Sequence, residues 1–400
     1  MKKAIITLLF FIGTVAAQAQ QTYNITGIVT DEKNAPIAGA TVFLADSRKA
    51  TVSDGEGKFA LQQVQPGKYN LVVKMIGYVV TMHEFMLQNN NMRFRVKLPE
   101  DNVMLNTVEI SAMSLAERKR HLQTFLACFL GTSKYAKECK ILNPDDIKLK
   151  FDKKRNILTA SSSDFLVIEN KALGYTMKYL LNNFVFDRQV FTENLLSFDG
   201  TLFFEEMKAS NRQVKKWEEE RVKTYLGSST HFFKSLLDNT LDNEGFVVYR
   251  MLNRQALTIY SKKQQKIPDV YFSPFKDLKS YVTDVDDNFK IFDTGRLKKD
   301  SLDLFVVYTA EKEPVEFIER GDRVKRFFEM PAGQTSFVQV VGDSVLLSKT
   351  GIMATQKAVW FNGFWTWGRV SAFLPTDYEV PANIDPRKKK QVVKPILSAN

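Results

Sequence analysis

Cysteine and histidine are scarce here: Cys128 and Cys139 are the only thiols, and three histidines are spread over 400 residues. A disulfide-stapled scaffold is excluded, because at most one bridge can form, closing a short loop for about 3 kcal/mol. Whether that bridge forms stays open, since Cys128 lies in the apolar run Phe125-Leu126-Ala127-Cys128-Phe129-Leu130, where a thiol also serves as a small buried hydrophobe. Neither cysteine is near the start of the chain, so the lipid-modified cysteine of a bacterial lipoprotein is missing. Long apolar runs are lacking too. Membrane spans need about 20 apolar residues, and the longest candidate, Ala4 to Val15, has 12. With the basic Met1-Lys2-Lys3 before it and Ala17-Gln18-Ala19 after it, that run reads as an export signal cleaved after Ala19. The mature chain is expected to be soluble or peripherally bound.

Charge is biased toward the positive. Loss of residues 1–19 removes two lysines and no acid, taking the formal charge from +11 to +9. An exported chain has little access to nucleic acid, so none is expected as a partner. The charge is scattered except at Arg387-Lys388-Lys389-Lys390, which either touches anionic lipid headgroups or forms a solvated tail over residues 381–400. At 44% hydrophobic and 12% aromatic the chain can fill two ordinary cores.

What is plentiful is short β-prone runs divided by turn chemistry. Asn24 to Thr30 alternates, Asp31 to Gly39 is a polar loop containing Pro36, and Ala40 to Leu44 is apolar. Lys58 to Leu61 and Tyr69 to Met75 sit among Asp54-Gly55, Glu56-Gly57 and Pro66-Gly67. Strands this short at this spacing predict a small sandwich. Gly55 and Gly57 are placed to supply positive φ, and Phe59 and Tyr69 to pack between sheets.

The series Gly27-Ile28-Val29-Thr30-Asp31, Pro36-Ile37-Ala38-Gly39-Ala40-Thr41-Val42, Thr51-Val52-Ser53-Asp54-Gly55-Glu56-Gly57-Lys58-Phe59, Pro66-Gly67-Lys68-Tyr69 and Ile76-Gly77-Tyr78 resembles the carboxypeptidase regulatory-like domain, over residues 22–111. The resemblance implies a transthyretin-like seven-stranded β-sandwich. Leu98-Pro99-Glu100 through Leu105 to Ile110 is similar to the exit from this domain in envelope proteins such as TonB-dependent receptors, which implies a Gram-negative periplasm. It implies no peptidase. In zinc carboxypeptidases this domain is a non-catalytic appendage, and the catalytic part supplies a His-x-x-Glu pair. Three residues after His83, His121 and His231 stand Met86, Thr124 and Lys234, so no zinc site of that type, and no other metal or cofactor, is expected.

Residues 114–380 read as a β-rich α+β domain. Ser114-Leu115-Ala116-Glu117 is a capping box for a helix with Leu115, Leu122, Phe125, Leu126 and Phe129 on one face and Gly131 at its stop. Alternating runs follow from Asp146 to about Leu180, and Gly200 to Met207 reads as a strand. Ser210 and Gln213 can cap a helix ending at Gly227, striped by Val214, Trp217, Arg221 and Tyr225. Ser228 or Ser229 can cap the next, with Phe233, Leu236, Leu237 and Leu241 inside. β-like runs return at Phe246 to Leu252, Leu304 to Tyr308, Ser336 to Val341 and Val345 to Leu347. Phe129 to Ser133, Ala172 to Tyr175, Arg221 to Phe232 and Trp365 to Arg369 resemble the C-terminal part of a group of secreted proteins carrying the same module, a resemblance that brings no activity with it.

The candidate ligand-binding residues are Arg221, Tyr225, Ser228, Ser229 and His231, where a helix end, a Gly-Ser-Ser turn and a new helix N-terminus meet. With His231 roughly opposite the Phe233 face they can hold a carboxylate, sulfate or phosphate; alternatively Gly227 breaks the chain, a serine simply caps, and His231 is a surface or second-layer residue. No catalytic residue is assigned. Gly-x-Ser occurs at Gly131, Gly227 and Gly342, but Tyr135, His231 and Leu346 replace the closing glycine of a nucleophile elbow. Asp284 to Asn288 starts like a calcium loop and lacks its glycine and final glutamate, leaving a solvated turn. Glu205 and Glu206, adjacent on a strand, face opposite sides. The run Trp360 to Trp367 offers either a binding platform or core packing. Together these point to an exported, non-catalytic envelope protein, in the periplasm or on the periplasmic face of the outer membrane, that binds a protein or glycan. Hydrolysis of an envelope polymer and service as an accessory subunit of an outer-membrane transporter are the alternatives.

Overall fold

The computed structural model describes residues 21–101, 113–188, 195–251, 272–300, 303–319, 331–354 and 358–381. The expected leader and the Arg387 to Lys390 cluster lie outside the described residues, as does the exit segment Leu105 to Ile110.

Seven strands come first: β1 (Tyr23–Thr30), β2 (Thr41–Leu44), β3 (Ala50–Val52), β4 (Lys58–Val64), β5 (Gly67–Lys74), β6 (Thr81–Leu87) and β7 (Met92–Lys97). They form two sheets, ordered β4-β1-β7 and β3-β2-β5-β6, antiparallel apart from the β1–β7 pair. Alternation drives the arrangement. Ile25 and Val29 point inward from β1 while Asn24 and Thr26 stay wet, and Val42, Leu44, Phe59, Leu71 and Val73 close the core from the other strands. Gly57 takes φ +72, with Val29 O only 2.4 Å from where a Cβ would lie. Gly55 does not adopt positive φ, because the turn from Asp54 to Lys58 needs only one left-handed residue. This is the transthyretin-like sandwich.

The rest is α+β and β-rich. Helix α1 (Leu115–Phe129) precedes β8 (Cys139–Ile141), β9 (Ile147–Asp152), β10 (Ile157–Ser162), β11 (Leu166–Asn170), β12 (Tyr175–Asp187) and β13 (Leu195–Glu206). These strands make one sheet, with β13 paired along the length of β12. Both bonds of the Ser114–Glu117 capping box are made. Phe125 and Phe129 pack on the sheet, edge-on to Phe184 and Tyr179 at 4.8 and 5.0 Å. Leu115 does not share that face: it is 87% exposed, and the first turn meets the sheet through polar groups, Arg118 donating to Ile147 O at 3.1 Å, before the apolar packing of Leu122, Phe125, Leu126 and Phe129 begins. The strand expected from Gly200 begins at Leu195.

Two helices, α2 (Asn211–Tyr225) and α3 (Ser229–Leu237), lead into β14 (Phe246–Met251), β15 (Phe272–Pro274), β16 (Val282–Asp284), β17 (Phe289–Phe292), β18 (Asp303–Tyr308), β19 (Gln334–Val340), β20 (Val345–Ser348) and β21 (Val359–Gly363). A five-stranded sheet, β15-β14-β18-β19-β21, and a three-stranded one, β16-β17-β20, enclose α3. Ser210 stands at the N-cap of α2 without making a side-chain cap bond. Asp286 turns the chain between β16 and β17 by accepting the N–H groups of Asn288 and Phe289. Glu205 and Glu206 do face opposite ways: Glu205 lines a cleft, and Glu206 meets two arginines.

The sandwich is joined to the second part through side chains and backbone. Phe43 lies 4.7 Å from Phe203 and 5.7 Å from Phe165, ring centre to ring centre, with Val72 beside them. Burying each such ring contributes about 1.5–3 kcal/mol. The β2–β3 turn continues the edge of β13: Asp46 N–H donates to Leu202 O at 2.7 Å and Phe204 N–H to Ser47 O at 2.9 Å. Arg48 then pairs with Asp377 at 3.2 Å and Glu206 at 3.0 Å, while Thr376 N–H and Oγ1 donate to Asp46 O.

Candidate functional site

Arg221 is one turn from Tyr225 on α2, as its spacing requires. Only 6% exposed, it lies within the molecule. Its Nε donates to Leu173 O at 2.8 Å and its Nη2 to Gly174 O at 3.2 Å, Nη1 approaches Glu206 at 3.4 Å, and the guanidinium covers the Tyr175 ring at 3.9 Å. Gly174 makes this possible: at φ +70, a Cβ there would fall 2.2 Å from the Trp217 ring. Burial pushes the Tyr175 phenol up to about 12, against the opposing pull of Arg221 and Arg48.

The Tyr225 ring stands 5.1 Å from His231 and 6.2 Å from Tyr378, and burial raises its phenol to about 12. Ser228 caps α3, its Oγ accepting the His231 N–H at 3.2 Å. Ser229 opens that helix and is half-buried. His231 is a core residue, 5% exposed, rather than a surface or second-layer residue. Its Nδ1 accepts the Gly227 N–H at 3.1 Å, its Nε2 faces the Glu244 carboxylate at 3.4 Å, and its ring lies 5.0 Å from Phe246. Gly227 O in turn accepts the Trp365 indole N–H at 2.6 Å. Tyr225, Ser228, Ser229 and His231 thus meet at the α2–α3 junction, whereas the Arg221 guanidinium is engaged by Leu173, Gly174, Tyr175 and Glu206; the bonds of Arg221, Ser228 and His231 position α2 and α3.

Cys128 and Cys139 form no disulfide, and burial drives the Cys139 thiol up to about 12. Of the aromatic run only Trp360 is strongly exposed, at 58%. The run is not one strand: β21 ends at Gly363, a helical turn follows, and Phe361 packs on Trp365 at 5.2 Å. Among the described residues, no group of three or more histidine, cysteine or acidic side chains is placed to hold a metal, and no helix is long and apolar enough to cross a membrane.

Sequence reading missed the groups that the joint assembles. Around Arg221 gather Arg48, Tyr175, Glu206, Asp377 and Tyr378, and the buried hydroxyls of Tyr175 and Tyr378 make no hydrogen bond among the described residues. Two clefts open at the joint. One, of about 500 Å³, lies between β3 and the outer face of the β11–β12–β13 sheet, floored by Phe165 and Phe203 and rimmed by Asp146, Asp164 and Glu205. The other, of about 480 Å³, lies between residues 45–49 and 63–70 of the sandwich and residues 348–354 and 376–379. Asp46 lines it, and burial raises that carboxyl to about 6. No linear signal marks either cleft, because each wall comes from a distant part of the chain.

Residues 25–110 match the model of the CarboxypepD_reg-like domain family. The sandwich is therefore a domain of that family, followed by a further α+β region. No curated protein is similar enough to this chain to count as a match. Solved structures similar to parts of it include a type II cohesin–X-dockerin complex from Acetivibrio cellulolyticus, 18% identical over 28% of this chain and 76% of that one, with a TM-score of 0.19. Others are a candidate carbohydrate-binding protein from Bacteroides uniformis, 10% identical over 45% and 78% with a TM-score of 0.18, and catechol 1,2-dioxygenase from Acinetobacter sp. ADP1, 9% identical over 22% and 55%, also at 0.18. Scores this low carry no inference about what this chain binds or does.

Proposed function

We propose that the chain is an exported, non-catalytic protein of the cell envelope that binds a protein or glycan through surfaces shared by its sandwich and its second domain. The observation that carries this reading is the joint: a CarboxypepD_reg-like sandwich is packed onto the second domain through Phe43 and Phe203, and two clefts open where they meet. Ligand sites favour such junctions. Export rests on the leader-like residues 1–19, and the periplasm or the periplasmic face of the outer membrane is the compartment proposed.

Fractionation of cells expressing the tagged chain tests the compartment; recovery from the cytoplasm with residues 1–19 intact contradicts it. Incubation with peptide, ester and glycoside substrates tests the rest. Turnover that disappears in Ser228→Ala or His231→Ala would replace binding with catalysis.

A further inference from the structure

We infer that the cleft between β3 and the β11–β12–β13 sheet receives an extended peptide segment carrying lysine or arginine side chains, added as a strand to β3. The inference rests on the binding role proposed above and names the partner's chemistry.

Backbone phase gives the first part. β3 ends its sheet, with β2 on one side and, among the described residues, no strand on the other. Leu44 N–H donates to Lys49 O and Ser53 N–H to Ala40 O, so the main-chain groups of Lys49 and Ser53 turn toward β2. Ala50 and Val52, in the opposite phase, present their N–H and C=O groups outward. Both side chains are exposed and both residues line the cleft, Val52 at 58% exposure. Donors and acceptors repeated at Ala50 and Val52 match the main-chain spacing of an extended polypeptide.

Charge gives the second part. The chain carries +11 overall, +9 without residues 1–19, yet three carboxylates and one amine, that of Lys178, line this cleft. Asp146 is oriented by the Asn143 amide at 2.6 Å, and Asp164 shares Lys74 at 3.6 Å. Glu205 is exposed and has no ion-pair or hydrogen-bond partner among the described residues. An acidic rim on a basic protein selects a cationic segment and rejects other copies of the same surface. Below it, Phe165 and Phe203, edge to face at 5.5 Å, offer an apolar floor to alternate side chains.

The test uses the full mature chain and two labelled peptides, one alternating lysine with valine and one alternating glutamate with valine, with fluorescence anisotropy as readout. The lysine peptide is expected to bind at low salt and to weaken as salt screens the rim, and the glutamate peptide not to bind. Val52→Pro removes one outward N–H and leaves the β2 ladder intact; Glu205→Lys reverses one rim charge. Each is expected to weaken binding about tenfold with an unchanged melting temperature. Equal binding of both peptides, or lysine-peptide binding untouched by both variants, overturns the inference. Capture of an envelope glycan with neither peptide bound also overturns it while leaving the binding role standing; substrate turnover removes that role itself.

Discussion

Arg221 illustrates how a side chain with the right chemistry for an anion site becomes structural. Its Nε and Nη2 are held by the carbonyls of Leu173 and Gly174, so replacing it strands two buried acceptors. Arg221→Met is expected to cost about 3 kcal/mol in urea unfolding, with Arg221→Lys recovering little because an ammonium cannot span both carbonyls. Asp46 makes a pH-dependent contribution. Its carboxyl is raised from 3.8 to about 6 in the folded state, so the native protein holds this proton more tightly than the unfolded chain. That stabilisation is fully present below about pH 4 and is lost as pH rises through 6. Asp46→Asn is therefore expected to stabilise at neutral pH by up to about 3 kcal/mol and to flatten the stability profile between pH 4 and 6. Asparagine also tolerates the left-handed φ of +61 found there. No gain at pH 7 in denaturant unfolding would show that the carboxyl is better solvated than its surroundings imply.

Elements were legible wherever they depend on neighbours in sequence. The capping box at Ser114, the alternation of β1 and the Ser228 cap on α3 each need only a few adjacent residues. Ser228→Ala is expected to lose about 1 kcal/mol of stability through that cap alone, measured by thermal unfolding. The inward position of His231 was not legible, because α3 is apolar nearly all round. Phe232, Phe233, Leu236 and Leu237 are all buried, so most of the circumference turns inward, and the His231 side is covered by Tyr225, Phe246 and Tyr308. The length of β13 escaped for a related reason: Leu195 to Asp199 is fixed by pairing with β12, a partner chosen by the fold. At the joint, Arg48 meets residues 206 and 377, separations at which spacing carries no information.

At the scale of the molecule, the aromatic cluster decides whether the sandwich and the second domain act as one body. Phe203→Ala removes the ring between Phe43 and Phe165 and is expected to cost about 3–5 kcal/mol. Calorimetry should then show a single unfolding transition dividing into two. A second domain that unfolds together with the sandwich despite that loss would place the coupling in the Arg48, Asp46 and Thr376 contacts instead. The clefts depend on the same joint, since each has walls from both sides. The most direct measurement is photo-crosslinking in the cell envelope, with a benzophenone amino acid at Val52 inside the first cleft and, as control, at the exposed Lys33 outside both. Binding through the joint predicts an adduct at Val52, none at Lys33, and loss of the Val52 adduct in the Phe203→Ala background. Adducts at both positions, or at neither, would contradict it.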